Sequence, residues 1–314
     1  MIFRILPNGL DGSVNENGII YYQQLIKAII DHGMVPVATL YHYDLPQPLQ
    51  EIGGWTNPEM VKYFVNYARV AFQSFDKVQY WLTFNDPRSV CRLGYGEGFT
   101  LQASKLSIAI NLEWSEPASD SEADIAAAER RNMFEFGLYA NPILKGNWPQ
   151  VVIERVENRS YQEHFPKSRL PEFTKDEIDY INGTFDFAAI NMFYTILVAD
   201  IDEPEYDDPG YIKDMKAKFA ADPSWDVGEN GNPIVPWGAR KSLNWLKNTY
   251  DNPEIFITGN GVSDNGNLED DIRVNYYKNY LVAILDAMYE DNVNVIGYTA
   301  WNFLDGFEWA EGYR

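Results

Sequence analysis

Cysteine is nearly absent: Cys91 stands alone among 314 residues, which excludes an internal disulfide framework and a zinc site built on thiolates. Histidine is almost as scarce. His32, His42 and His164 fall in no metal-ligand spacing such as H-E-x-x-H, so no metal site is expected. No stretch approaches the roughly 18 consecutive apolar residues of a membrane-crossing helix. Positive charge is short as well: 25 Lys and Arg against 46 Asp and Glu leave a formal charge of −21. That balance excludes nucleic acid and anionic membrane surfaces as partners. The opening MIFRILPNGLDG turns polar too soon to read as a secretory leader.

What the chain does hold is apolar and aromatic. Hydrophobic residues make up 46% of it, enough for a large core in one domain or two. Nine Trp and 21 Tyr admit two readings, ordinary packing or a cleft lined with flat faces that suit pyranose rings. Two N-x-S/T sequons, Asn158-Arg159-Ser160 and Asn182-Gly183-Thr184, are short motifs that carry little alone.

No internal repeat is present, and strand-like runs alternate with amphipathic stretches. Ile19, Tyr22, Ile26 and Ile29 mark one helix face; strands are expected at 35–42, 78–86, 107–114, 187–194, 254–260 and 295–303. Helices are expected over 58–74 and 126–140, and two more carry the stripes Ala239, Leu243, Leu246, Tyr250 and Tyr277, Leu281, Ile284, Met288. Strands apolar throughout and alternating with helices predict a parallel sheet covered on both faces. Several end in polar or aromatic groups, namely His42, Asn85-Asp86, Asn191, Asn260 and Trp301, as barrel strands that carry chemistry do. A doubly wound open sheet is disfavoured because no Gly-rich phosphate loop follows the early strands.

The segments TLYHYDLPQPLQEIGGWTNPEM, YWLTFNDP, GYGEGF, EWSEPASDSEADIAAAER, SRLPEFT, IFITGNG and AWNFLDGFEWAEGY occur in this order. Together they resemble the β-glucosidases of glycoside hydrolase family 1, the animal branch above all, from Ile5 to Arg314. The resemblance implies an α/β fold of the (β/α)8 TIM-barrel glycosidase type and hydrolysis of β-linked glucosides or related sugars. It also implies no cofactor and a protein often secreted in the family. Retaining hydrolysis needs two carboxyl groups about 5–5.5 Å apart, one an acid/base and one a nucleophile.

Both carboxylate positions depart from the family pattern. Where the family writes T-F-N-E-P this chain has Asp86, and where it writes I-T-E-N-G this chain has Gly259. The resemblance assigns sugar contacts to His42, Asn85, Trp301, Glu308 and Trp309, with Tyr43 in place of the Trp usual beside the histidine. The N-x-Y segment appears as Asn191-Met192-Phe193, so Phe193 stands where a tyrosine would touch the nucleophile, unless the register slips to Tyr194. Asp264 and Glu308 are neighbouring carboxylates that could stand in for the missing one. Taken singly, His42 and the two tryptophans would read as core residues and Asn85-Asp86-Pro87 as a turn.

The pattern also predicts a single partial domain over 1–314, with the family's first two strands and a middle helix missing and six strands of eight remaining. An unclosed barrel leaves two exposed strand edges, so marginal stability of the isolated chain is expected. Three readings stay open at this point: a working β-glucosidase, a sugar-binding homologue without hydrolysis, and a truncated product without activity.

Overall fold

A computed structural model describes residues 2–9, 14–86, 105–202, 210–264, 266 and 269–302. The chain divides into two compact units, Met1–Ile110 with Thr184–Ala189, and Asn111–Gly183 with Ile190–Arg314. The division runs inside two of the strands.

In the first unit the order is α1 (Ile2–Ile5), α2 (Glu16–Asp31), β1 (Val37–Tyr41), α3 (Gln47–Glu51), α4 (Met60–Ser74), β2 (Tyr80–Asn85) and β3 (Lys105–Asn111). β1 pairs with β2 in parallel, from Val37 opposite Tyr80 to Tyr41 opposite Phe84. β2 pairs with β3 in parallel, from Tyr80 opposite Lys105 to Asn85 opposite Ala109. The chain returns beside β3, where the Leu106 N–H donates to Asp186 Oδ2 at 2.6 Å. The strands are largely buried, with α2 and α4 packed against them. Trp81, Tyr67, Phe64, Phe84 and Met60 are buried, and the Ile19, Tyr22 and Ile26 face of α2 packs on them as predicted. Phe64 stacks on Phe84 at 4.9 Å, and Trp55 meets both edge-on. The buried Tyr67 hydroxyl donates to the Leu40 carbonyl at 2.9 Å, tying α4 to β1.

The second unit continues with β4 (Trp114–Pro117), α5 (Glu122–Asn132), a π-helical turn (Met133–Gly137), α6 (Leu138–Lys145), α7 (Gln150–Gln162) and α8 (Lys175–Ile181). Next come β5 (Ala188–Asn191), β6 (Thr195–Asp200), α9 (Tyr211–Met215), β7 (Ala217–Ala220), α10 (Pro236–Thr249), β8 (Ile255–Asn260), α11 (Asp271–Tyr289) and β9 (Val295–Ala300). The end of β5 is followed in the sheet by β8 and β9, the last pair parallel. Among the described residues, β1, β2, β3, β5, β8 and β9 are the six strands of this kind.

Three sequence readings need correction. The strand expected over 107–114 is two: β3 stops at Asn111, and Trp114 opens β4, which pairs with β6 in a separate three-stranded sheet with β7. Polar Asn111 and Glu113 gave no sign of where the run breaks, because both flanks are apolar. The helix expected over 126–140 is interrupted by the π-turn at Met133–Gly137. The stripe expected on the last helix lies one residue off its buried face except at Ile284, which is buried as expected. Tyr276, Tyr280, Ala283, Ile284 and Ala287 are its buried face, while Leu281 is 39% exposed. α11 also carries exposed apolar residues, Val274, Val282, Leu285 and Tyr289, so periodicity alone did not pick the inner side. The α10 stripe holds throughout: Ala239, Leu243, Leu246 and Tyr250 are all buried. The missing middle helix was placed between Asp86 and Ser107, and residues 87–104 of that segment lie outside the described residues.

Candidate active site

The parallel register of β1 and β2 sets His42 and Asn85 side by side at the strand ends. Asn85 Nδ2 lies 3.2 Å from His42 Nε2. An amide nitrogen can only donate, so this contact requires a neutral imidazole with its proton on Nδ1. Burial pushes the His42 pKa below 6.5, against the opposing pull of Asp44 and Asp86. The backbone N–H of His42 donates to Asp44 Oδ1 at 3.0 Å and fixes the turn that follows.

A histidine whose folded pKa lies below its unfolded value binds fewer protons folded than unfolded. Its contribution to stability is therefore present above pH 6.5 and is lost as pH falls from 6.5 through the lowered value. The thermal midpoint of the wild type will drop between pH 7.5 and 5.5 by more than that of His42→Gln. Equal drops in calorimetry would count against the neutral pair.

Asp86 follows directly, 5% exposed and at φ 44°. Of the acidic residues, Asp tolerates left-handed backbone best, because its short side chain adapts locally. Its N–H donates to the Ala109 carbonyl at 2.8 Å, which anchors the turn on β3. Its Oδ2 accepts from the Tyr43 hydroxyl at 3.1 Å, and Tyr43 also has positive φ, at 63°. The carboxyl is thus short, buried and held by a phenol.

The second group of site residues gathers where β5 and β8 end. Asn191 Nδ2 donates to Asn111 Oδ1 at 3.0 Å, and its Oδ1 accepts from Thr258 Oγ1 at 2.8 Å. The Met192 N–H donates to the Gly259 carbonyl at 2.9 Å. A Cβ on Gly259 would lie 3.0 Å from Asn191 Oδ1 and 3.2 Å from the Phe193 ring. A side chain at 259 would therefore emerge between Asn191 and Phe193. Phe193, rather than Tyr194, puts its ring tip there. Gly259 is not among the glycines with positive φ, so its backbone does not demand glycine. Gly261 differs: a Cβ there would sit 2.0 Å from the Trp301 carbonyl oxygen, backbone against backbone.

Between these glycines, Asn260 is fully buried. Its Nδ2 donates to the Met192 carbonyl at 2.6 Å and to the Tyr276 hydroxyl at 2.8 Å. Its Oδ1 accepts from the Tyr298 hydroxyl at 2.8 Å, and its carbonyl accepts from the Trp301 N–H at 2.7 Å. The Tyr276 hydroxyl also donates to the Phe193 carbonyl at 3.2 Å, and Tyr276 stacks on Tyr280 at 4.1 Å. Burial drives the Tyr276 and Tyr298 phenols well above the ordinary range, so both stay neutral donors. Trp301 itself is half-buried, its carbonyl accepting from the Tyr277 hydroxyl at 3.0 Å.

The structure thus joins His42 to Asn85, Tyr43 to Asp86, and Asn191 to Phe193 and the Gly259 position. Glu308 and Trp309 lie outside the described residues. Asp264 is paired with Arg273 at 3.0 Å. Sequence reasoning missed Asn111, Thr258, Tyr276 and Tyr298, which hold the site residues in place. Only Thr258, inside the quoted ITGNG motif, gave a local signal. Among the described residues no group of three or more His, Cys, Asp or Glu side chains could hold a metal, and no helix is long and apolar enough to cross a membrane.

Parallel strands alternating with helices, with polar side chains at the strand ends, are the pattern of an incomplete (β/α)8 barrel. Residues 3–101 and 99–314 match the family model described as glycosyl hydrolase family 1. The chain is 41% identical to myrosinase 1 of Brevicoryne brassicae over 99% of its own length and 74% of that protein. It is 36% identical to human lactase/phlorizin hydrolase, over 99% of this chain but only 18% of that much longer protein. Among solved structures, a rice β-glucosidase variant in a covalent complex with Glc superposes with a TM-score of 0.88, at 30% identity over 99% of this chain and 76% of that one. The chain belongs to glycosyl hydrolase family 1.

Proposed function

We propose that this protein recognises β-linked glucosides or related sugars and no longer hydrolyses them. The observation that carries the reading is Gly259. The family pattern puts a nucleophilic glutamate at this strand end. Here a Cβ would have 3.0 Å and 3.2 Å contacts to Asn191 and Phe193, yet the residue supplies no carboxylate. Without that group no glycosyl–enzyme bond can form. Phe193 also lacks the hydroxyl that would hold an ionised nucleophile. The acid/base position carries Asp86, one methylene short and engaged by Tyr43. A shorter carboxyl withdraws by about 1.5 Å, and general acid catalysis contributes about 10²–10⁴-fold where it operates.

Five sugar contacts of the family pattern are kept in the sequence, His42, Asn85, Trp301, Glu308 and Trp309, while Tyr43 departs from it. His42 and Asn85 form a neutral, half-buried donor–acceptor pair suited to sugar hydroxyls. Trp301 supplies an indole, and by sequence Glu308 and Trp309 complete the set. The names β-glucosidase, lactase and myrosinase among its relatives support a β-glucoside as the ligand class.

The test is a titration of the purified protein with 4-nitrophenyl β-glucoside, following heat and 4-nitrophenol together. Saturable binding with a Kd of about 1 mM, weakened by His42→Ala and without phenol release above buffer, is expected. Turnover well above buffer would sink the loss of hydrolysis. Absence of saturable binding would sink recognition.

A further inference from the structure

One face of α10 has a composition that packing does not explain. Trp237, Lys241, Asn244 and Asn248 recur at i, i+4, i+7 and i+11, so they share a single helical stripe. The stripe borders a basin of about 600 Å³, completed by Trp114, Trp245 and the Arg240–Asp291 pair. Three indoles around one depression differ from the single exposed aromatics that any surface carries.

The indoles are held in fixed orientation. Trp114 Nε1–H donates to Glu116 at 2.6 Å and Trp245 Nε1–H to Glu129 at 2.7 Å. Trp237 meets Trp225 edge-on at 5.9 Å and lies 4.8 Å from the Lys241 ammonium, yet 43% of it faces solvent. Its Nε1–H and the exposed Asn248 amide make no hydrogen bond within the described residues. A polar ligand could therefore satisfy groups that the fold leaves open.

Charge selects the kind of ligand. Arg240 is answered by Asp286, Glu290 and Asp291, and Lys241 by Glu116, so four carboxylates surround two cations. On a chain of charge −21 an anion is repelled. A free cation would compete with Arg240 and Lys241, which already occupy the carboxylates. A neutral pyranose fits what remains: its C–H face lies on an indole, and its hydroxyls meet amides in the plane around it.

We propose that this basin is a binding site for a neutral oligosaccharide, built from residues other than those at the strand ends. It would hold a glucan segment by stacking on Trp237 and hydrogen bonding to the Asn248 amide and the Asn244 side-chain oxygen, the Asn244 N–H groups being given to the Arg240 carbonyl and Asp291. The probe is cellotetraose, titrated against the full chain by saturation-transfer NMR and tryptophan fluorescence. All cellotetraose titrations are made in the His42→Ala background, which takes out the strand-end site, and binding there with a Kd of about 1–10 mM is expected. Trp237→Ala, and independently Asn248→Arg, which fills the basin without removing a buried contact, will weaken binding by about tenfold or more. Unchanged affinity in a folded Trp237→Ala or Asn248→Arg protein would overturn the proposal, as would loss of all binding in His42→Ala. Aryl glucoside binding lost in His42→Ala but kept in Trp237→Ala keeps this test separate from that of the strand-end site.

Discussion

A Gly259→Glu, Asp86→Glu double variant will hydrolyse 4-nitrophenyl β-glucoside at least about 10³-fold faster than the wild type. The expectation follows from what each position can and cannot do alone. A carboxylate installed at 259 can attack the anomeric carbon and expel 4-nitrophenolate, a leaving group that needs no proton from an acid. The glycosyl ester so formed must then be opened by water, and the base for that step is Asp86. Its carboxyl is short and accepts a hydrogen bond from the Tyr43 hydroxyl at 3.1 Å. Gly259→Glu alone will therefore stall as a covalent adduct, visible by mass spectrometry as one added glucosyl unit. The second substitution releases it. The φ of 44° at residue 86 suits Asp better than Glu, so the double variant will be less stable than the single one by about 1 kcal/mol. A folded double variant with wild-type turnover would refute the positional reading of both residues.

Asn260→Ala will be the most damaging single truncation at the strand ends. Three side-chain hydrogen bonds disappear together, to the Met192 carbonyl and to the Tyr276 and Tyr298 hydroxyls. All three partners are drawn from different elements, so no neighbour can slide in to replace the amide. A lost hydrogen bond costs about 1 kcal/mol when water replaces it, and more when a buried partner is orphaned. The expected loss is about 3–5 kcal/mol in denaturant unfolding. Asn260→Asp separates causes, because it keeps the shape and the Tyr298 acceptor but loses the two donors. A loss under about 1 kcal/mol for the alanine variant would mean that the network opens to solvent readily.

The strand positions were legible because they are written as continuous apolar runs, and β1, β2, β8 and β9 fall inside the runs predicted for them, although β9 holds no buried residue. The α10 stripe was legible for a different reason: its outer face is polar apart from Trp237, so inside and outside contrast. α11 lacked that contrast, with Val274, Val282, Leu285 and Tyr289 all exposed, and its expected stripe meets the buried face only at Ile284. The three-stranded sheet of β4, β6 and β7 was invisible, since its strands are short and β7 is mostly exposed. At the site, the sequence motif located Asp86 and Gly259 but not their surroundings. The contacts of Asn191 to Asn111 and of Asn260 to Tyr298 join residues 80 and 38 positions apart, beyond the reach of any local pattern.

The two glycines that flank Asn260 also differ in evolutionary terms. At 261 the Trp301 carbonyl oxygen occupies the place of a Cβ, so every alternative amino acid is closed off by the backbone itself. At 259 the chain keeps an ordinary φ, and neighbouring side chains need yield only a little. Glycine and glutamate codons differ by one nucleotide, GGA against GAA. Position 259 is therefore one mutational step from a carboxylate, on a main chain that still accommodates one, whereas 261 has no exit at all.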